Sequence, residues 1–474
     1  MSGYERGFRS LSSERENVSL QVEGELPGWL DGTLYRNAPA EFEVDGTSLE
    51  HWFDGLAMVH RIVFDPDDDR VSYTNRFLRS DAYAAARRGE RPGGFATADD
   101  RGLLGRLREL LFSEPTDNAN VHVARLNDQY VALTETPRAV AFDPETLETL
   151  GHPEFSGTTV HHTVAHLRRD DDAGETWGVG VTFGLRNRYR VFRIPDGTAH
   201  REPVASIPVS RPAYVHSFAL TPRYAVLLEP PFTVDPREFL LGGGAFVDHY
   251  EWHPEADMRV LLVDRESGEV TERRTDARFT FHLANAFERT GDGGTDRPNA
   301  GDRPDAVVVD AVTYEDASIV ADLALDGDAP DQPSAGELRR YRVPLDDAPV
   351  TSDALYEGIE MPRFSPTVAG REYSYVYGQA TRREGMNGLV KVDAEMGLSQ
   401  EWWEPDLWAE EPVFVPAPDA AREDEGVVLA TALDAAAERT VVLVLEGTTF
   451  TERARIVLPH AVPFGFHGEY VPEQ

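Results

Sequence analysis

Cysteine is absent from this chain of 474 residues. Disulfides, thiolate metal sites and cysteine nucleophiles are therefore excluded together. Lysine is nearly absent as well: Lys391 is the only one, and arginine supplies the rest of the basic side chains. No apolar run approaches the ~18 residues that a membrane-spanning helix needs. The stretch Met1-Ser2-Gly3-Tyr4-Glu5-Arg6 carries no apolar signal core, so a cytoplasmic location is the expectation. Two catalytic signatures are also missing: HExxH, which would hold a hydrolytic zinc, and GxSxG, which would present a nucleophilic serine. Gly242-Gly243-Gly244 is not followed by lysine, so it is no phosphate-binding loop.

Acid is present in excess. Asp and Glu number 83 against 46 Lys and Arg, a formal charge of −37. Such a surface repels phosphate backbones, which excludes nucleic acid as a partner. The acid is spread along the chain, as in Asp67-Asp68-Asp69, Asp170-Asp171-Asp172 and Glu423-Asp424-Glu425. Dispersed acid with almost no lysine leads us to expect a halophilic protein, whose self-repulsion is screened in concentrated salt. Hydrophobic residues make up 41%, enough for a large core.

Short β-type runs separated by Asp, Gly and Pro turns dominate the pattern. They include Val59 to Phe64, Arg70 to Thr74, Tyr130 to Thr134, Arg138 to Phe142, Thr176 to Thr182, Tyr189 to Ile194 and Tyr224 to Leu228. Arg259 to Val263, Ala306 to Val312, Gly426 to Leu433 and Thr440 to Leu445 continue the series. Many short strands with almost no helices to make parallel crossovers point to an all-β architecture, best met at this length by a propeller. The strand style continues throughout, so residues 1–474 are read as a single domain. Thr290 to Asp305 and Asp326 to Ser334 are too poor in apolar residues to pack and read as surface insertions.

One segment has helical periodicity. Leu103, Leu104, Leu107, Leu110 and Leu111 fall on one face of Asp100 to Phe112, an amphipathic helix. It fits a helix packed on the propeller face. It also fits an interfacial segment that touches a membrane to collect an apolar substrate, and the nearby Phe239-Leu240-Leu241 would assist it.

The chain has fourteen histidines (His 14). His166, His216, His282 and His467 each lie in or beside an apolar or aromatic β-like segment: Thr163-Val164-Ala165-His166-Leu167, Ala213-Tyr214-Val215-His216-Ser217-Phe218, Phe279-Thr280-Phe281-His282-Leu283 and Phe464-Gly465-Phe466-His467-Gly468. Taken one at a time, each is better explained as a core or surface histidine than as a ligand. On separate blades of a propeller, however, all four could point at the axis. Neutral imidazoles suit divalent iron, and four occupied positions of six would leave two for dioxygen and substrate.

Several motifs, in order, resemble the carotenoid cleavage oxygenases over nearly the whole chain. They are Leu26-Pro27-Gly28-Trp29-Leu30-Asp31-Gly32-Thr33-Leu34-Tyr35-Arg36-Asn37 and His51-Trp52-Phe53-Asp54-Gly55, followed by Met58-Val59-His60. Thr116-Asp117-Asn118-Ala119-Asn120-Val121, Thr134-Glu135-Thr136 and Asp143-Pro144-Glu145-Thr146 are similar to the animal branch, the β-carotene oxygenases in particular. So are Tyr373-Ser374-Tyr375-Val376-Tyr377 and Glu411-Pro412-Val413-Phe414-Val415-Pro416. The resemblance implies a seven-bladed β-propeller with a helical and loop cap over one face. It implies Fe(2+) held by His166, His216, His282 and His467, with Glu135, Glu360 and Glu411 orienting the rings.

The partners it implies are a carotenoid or apocarotenoid and dioxygen. The reaction it implies is cleavage of one double bond, foremost the central 15,15' bond of β-carotene to give retinal. Eccentric or apocarotenoid cleavage and retinoid isomerisation are alternatives within the family. Outside it stand a metal-dependent propeller hydrolase and a non-enzymatic interaction propeller. Leu167 stands where the family has proline, and His161 and His162 are close enough to replace His166 as the ligand. Leu56-Ala57 and Asn37-Ala38-Pro39-Ala40 also depart from the family pattern, which bears on local loop shape.

Overall fold

Among the described residues, seven sheets of four to six strands succeed one another along the chain, antiparallel except where Ser156–Gly157 pairs in parallel with His200–Val209. A computed structural model describes residues 3–91, 94–96, 115–241, 245–290, 304–325, 333–383 and 385–473. Together the sheets form a seven-bladed β-propeller. Blade 1 is closed by both ends of the chain. Its outer strand is Arg15–Ser19, and its inner strand is Gly468–Pro472, paired with Gly32–Glu41. The N-terminal strand Gln21–Gly24 instead edges blade 7, pairing with Glu452–Val457. Each end of the chain is thereby stitched to the other, and the ring closes without a separate clasp.

The burial pattern shows why each strand sits where it does. Ala306–Tyr314, AVVVDAVTY, is buried along its whole length because neighbouring blades cover both of its faces. Val270–Thr275, VTERRT, alternates exposed and partly buried at the outer edge of blade 4. Charges on such an edge discourage pairing with another chain. The apolar faces pack blade against blade. Val226, Val260 and Leu262 of blade 4 meet Ala286, Val309 and Tyr341 of blade 5, and Tyr377 and Leu389 of blade 6 meet Phe414, Val428 and Leu443 of blade 7.

The innermost strands matter most for the site. They are His122–Leu126, Arg168–Asp170, Ala219–Leu220, Phe279–Arg289, Ile359–Arg363, Leu407–Pro416 and Gly468–Pro472, one per blade around the axis. Asn37 to Ala40, expected to form a turn, instead lies inside the buried strand Gly32–Glu41, with a register break between Pro39 and Glu41. Helix is scarce: Asp81–Arg87 is capped by the Ser80 side chain, and Glu238–Leu241 and Ser318–Asp322 are shorter still. Among the described residues no helix is long and apolar enough to cross a membrane. The amphipathic segment Leu103, Leu104, Leu107, Leu110 and Leu111 lies outside the described residues, as do most of the two insertions read from the sequence.

Candidate metal centre

Four of the inner strands, or the turns feeding them, each deliver one histidine to the axis. His166 lies between the blade 3 segments His162–Thr163 and Arg168–Asp170, and His216 lies just before Ala219–Leu220. His282 lies within Phe279–Arg289, and His467 immediately precedes Gly468–Pro472. All four are buried, and one ring nitrogen from each falls within 4.8 Å of the others. His166 Nε2 is 3.1 Å from His216 Nε2, and His282 Nε2 is 3.2 Å from His467 Nε2.

Three carboxylates stand behind these rings. Nδ1 of His216 donates to Glu135 Oε1 at 2.6 Å, Nδ1 of His282 to Glu360 Oε2 at 2.7 Å, and Nδ1 of His467 to Glu411 Oε1 at 2.8 Å. A carboxylate can only accept, so the proton on each of these rings resides on Nδ1, and each Nε2 presents a lone pair. Burial, only partly offset by Glu411, pushes the His467 ring down to about 4, so it stays neutral near pH 7. Burial likewise holds His166 well below the ordinary imidazole range, and the neighbouring histidines add to the effect. Two neutral rings whose lone pairs face each other 3.2 Å apart repel unless a cation lies between them. The donor set therefore fits a bound metal: four converging imidazole nitrogens, three of whose rings are oriented from behind by a carboxylate in the usual way. Nitrogens at right angles about one ion with bonds of about 2.1 Å would lie roughly 3 Å apart.

The carboxylates are themselves fixed. Burial alone would raise Glu135, but His216 and the Tyr214 hydroxyl, which donates to Oε2 at 2.7 Å, hold it below its ordinary range. Glu360 behaves in the same way: burial is outweighed by His282, and the Tyr314 hydroxyl donates to Oε1 at 2.7 Å. Glu411 differs, because its partners are cations. Arg36 Nη1 donates to Oε2 at 3.1 Å, and Arg363 Nη1 lies 3.6 Å from Oε1. Arg363, His467 and Arg36 together overcome burial and hold this carboxyl far below the usual range.

His161 and His162 stay outside the cluster. His161 accepts from the Phe183 amide through Nδ1, while His162 stacks on Phe246 at 5.2 Å and approaches Glu135 Oε2 only to 3.8 Å. His122 was not anticipated as part of the site. Its ring centre lies 5.5 Å from those of both His166 and His467. Tyr214, Tyr314, Arg36 and Arg363 were not singled out either. Tyr214 could have been found from its spacing, since two residues before His216 in an extended segment lie on the same side of the chain.

Aromatic rings lie beside the histidines in an unbroken series. Phe281 is 5.3 Å from His216, Phe53 is 6.2 Å from Phe281, and Phe95 is 5.0 Å from Phe53. Phe246 follows at 6.4 Å and Phe239 at 5.3 Å. Phe53, Phe95, Phe239 and Phe246 are only partly buried, so this series keeps some apolar surface accessible. A second group, Asp81, Asp117 and His152, also brings ligand atoms together. There Arg138 donates to Asp81 at 2.8 Å and reaches His152 Nε2 at 2.9 Å, so a guanidinium already supplies the positive charge.

The model of the retinal pigment epithelial membrane protein family matches residues 8–472. The chain belongs to that family. Its relatives are carotenoid oxygenases. The Arabidopsis thaliana carotenoid cleavage dioxygenase 8 is 29% identical over 98% of this chain and 85% of its own length. The human β,β-carotene 15,15'-dioxygenase is 28% identical, over 98% of this chain and 94% of its own. The apocarotenoid oxygenase of Synechocystis superposes with a TM-score of 0.85 at 26% identity, covering 99% of this chain and 98% of that one. A cobalt-substituted form of the same oxygenase matches equally well, with a TM-score of 0.85. As a carotenoid oxygenase, the chain is an oxidoreductase built around a metal site.

Proposed function

We propose that the four histidines bind Fe(II) and that the protein cleaves a double bond of a carotenoid with dioxygen, foremost the central 15,15' bond of β-carotene. The observation that carries this reading is the convergence of four histidine Nε2 atoms beside a row of partly open aromatic rings. Iron, when bound, would supply the redox chemistry that activates dioxygen. The balance is simple: one C=C bond and one O₂ are consumed, and two aldehydes form, with no proton gained or lost. No acid or base residue is required. Glu135, Glu360 and Glu411 keep the Nδ1 protons of His216, His282 and His467 turned away from the metal, so the Nε2 lone pairs of those three rings point inward. Phe53, Phe95 and Phe281 hold the polyene flat, fix its register and exclude water.

The 15,15' position rests on similarity to the β-carotene dioxygenases; the likeness to the Synechocystis apocarotenoid oxygenase favours apocarotenoids as a second reading. Aerobic incubation of the iron-loaded protein with β-carotene in detergent should give retinal as the sole carbonyl product. Recovery of only longer apocarotenals would overturn central cleavage, and turnover without oxygen would point to isomerisation. A hydrolase built on carboxylate ligands has no support in the donor set, in which all four converging atoms are histidine nitrogens.

We further propose peripheral contact between a cytoplasmic enzyme and a membrane through Leu103, Leu104, Leu107, Leu110 and Leu111, on the strength of their periodicity and the solubility of the substrate. Leu107→Asp with Leu111→Asp should abolish liposome flotation. Unchanged flotation would count against the contact.

A further inference from the structure

His467 differs from the other three histidines in what stands behind it. Tyrosine hydroxyls complete Glu135 and Glu360, but a single buried guanidinium completes Glu411 and its neighbour together. Arg36 donates through Nη1 to the Glu411 side chain at 3.1 Å and to its backbone carbonyl at 3.3 Å, and through Nη2 to Glu410 Oε2 at 3.3 Å. Those two carboxylates grip the backbone on either side of His467. Glu410 Oε2 accepts from the Gly465 amide at 2.7 Å, and Glu411 Oε2 accepts from the Gly468 amide at 2.8 Å. The turn carrying His467 therefore hangs from one Arg36–Glu410–Glu411 clamp.

A small cavity is lined by Arg36, His60, Glu410, Thr431 and Gly465, among others, and its volume is about 10 Å³. Glu410 Oε1, Thr431 Oγ1 and His60 Nε2 make no hydrogen bond of ordinary geometry among the described residues, although the Thr431 hydroxyl lies close enough to Glu410 to favour its charged form. Buried polar atoms are nearly always paired, and three orphans on one cavity of that size match the number of bonds a single buried water makes. The far side of the His60 ring is tied down: its Nδ1 lies 2.8 Å from the Tyr73 hydroxyl, which in turn lies 3.1 Å from His460 Nε2.

We propose that this cavity is an internal water site and that the water, Glu410 and Arg36 act together as positioning residues and solvent for the metal ligand His467. The water joins Glu410 to Thr431 and to the His60–Tyr73–His460 chain. It thereby fixes the one clamp carboxylate that does not itself touch a histidine ligand. Without it, Glu410 can rotate away from Gly465, the turn loosens, and His467 loses its angle. The other ligands do not depend on this device, since Tyr214 and Tyr314 serve their glutamates directly. The inference rests on His467 being a ligand but not on which substrate is cleaved.

The test uses the full chain loaded with cobalt(II), whose ligand-field bands report ring orientation whether or not any carotenoid is turned over. A high-resolution crystal structure should show one ordered water bonded to Glu410 Oε1, Thr431 Oγ1 and His60 Nε2. Thr431→Val, which keeps the side-chain shape, should lose that water, shift the cobalt bands and speed cobalt release to a chelator by a few-fold. Glu410→Gln should speed release by about 10-fold or more, the scale expected for partners of metal ligands, while Arg36→Lys should fall between them. An empty cavity in the crystal structure would overturn the water site. Wild-type bands and release rates in a folded Thr431→Val protein would overturn the positioning role even if Glu410→Gln fails to fold. A wild-type protein that binds no cobalt would instead sink the metal reading itself, a distinguishable outcome.

Discussion

At the scale of single residues, the three glutamates are the informative ones, because each fixes a ring without touching the metal position. Glu360→Gln keeps an acceptor for His282 but removes the charge that favours an Nδ1 proton. It should weaken metal binding by about 10–100-fold, measured by competition with a chelator of known affinity. Tyr314→Phe removes only the hydroxyl that donates to Glu360; its effect should have the same sign and be smaller. The titration of buried rings gives a second expectation. In the apo protein burial lowers His60 to about 3, and His460 and His467 to about 4, from an ordinary 6.5. The unfolded chain therefore binds more protons than the folded one below pH 6.5, and stability falls as pH drops from there toward 4. Burial also raises Glu229 to about 7 from 4.5 and lifts Glu410, Glu423 and Glu469, which act in the opposite direction. Against them, His122, His162 and His166 are lowered too, and the carboxyls of Glu135, Glu360 and Glu411 are held low by their partners. The melting temperature of the apo protein should accordingly decrease between pH 6.5 and 4.5. An increase over that window would contradict the buried neutral rings.

At the scale of elements, the solitary lysine makes the clearest prediction. Lysine scarcity suggests a surface phenomenon, yet Lys391 is 3% exposed on strand Gly388–Asp393 of blade 6. Its ammonium donates to Asp424 Oδ2 at 2.7 Å and to the Gly447 carbonyl at 2.8 Å, tying blade 6 to two loops of blade 7. Lys391→Ala leaves the buried Asp424 carboxylate only the exposed Arg422 guanidinium at 3.5 Å and should cost about 3 kcal/mol, read as a loss of unfolding free energy in urea. Elements such as Ala306–Tyr314 were legible in the sequence because a β-branched run buried on both faces has no competing pattern. Phe279–Arg289, FTFHLANAFER, was read only as a β-like segment around His282, and its full extent was not marked. It carries His282, Asn285 and Glu288, and its ladder to Ala306–Tyr314 shifts register twice, between Thr280 and Leu283 and between Leu283 and Ala286. Those shifts break the two-residue alternation on which strand reading depends. Helix Asp81–Arg87 escaped for another reason. At seven residues it is too short to show a period, and part of its capping comes from distant Asp117, which accepts from the Asp81 and Ala82 amides at 2.8 Å. The four histidines were recognisable as candidates because each sits in an aromatic or apolar context. Their convergence followed from the propeller reading and the family resemblance, whereas the tyrosine and arginine partners behind the glutamates depend on contacts between blades that no local pattern shows.

At the scale of the whole molecule, charge decides behaviour. The formal charge is −37, and many arginines are already engaged with carboxylates, as in Arg169–Asp196 and Arg455–Glu404. Exposed pairs of this kind contribute little individually, so the uncompensated acid spread over the surface dominates. Like charges a few ångströms beyond contact repel strongly in dilute buffer, where the screening length is about 30 Å at 0.01 M salt, and weakly when it falls to about 3 Å at 1 M. The folded ring concentrates that charge more than the unfolded chain does, so screening favours folding. Raising KCl from 0.01 M to 1 M should therefore raise the melting temperature, with most of the gain at the low end where the screening length changes fastest. NaCl should act equally, since the effect depends on ionic strength. Sucrose at matched osmolality should not reproduce the steep low-concentration rise, because exclusion from the surface does not screen charge. A melting temperature indifferent to KCl over this range would mean that the acid surface is not a source of instability, and the reading of the composition as an adaptation to concentrated salt would fall with it.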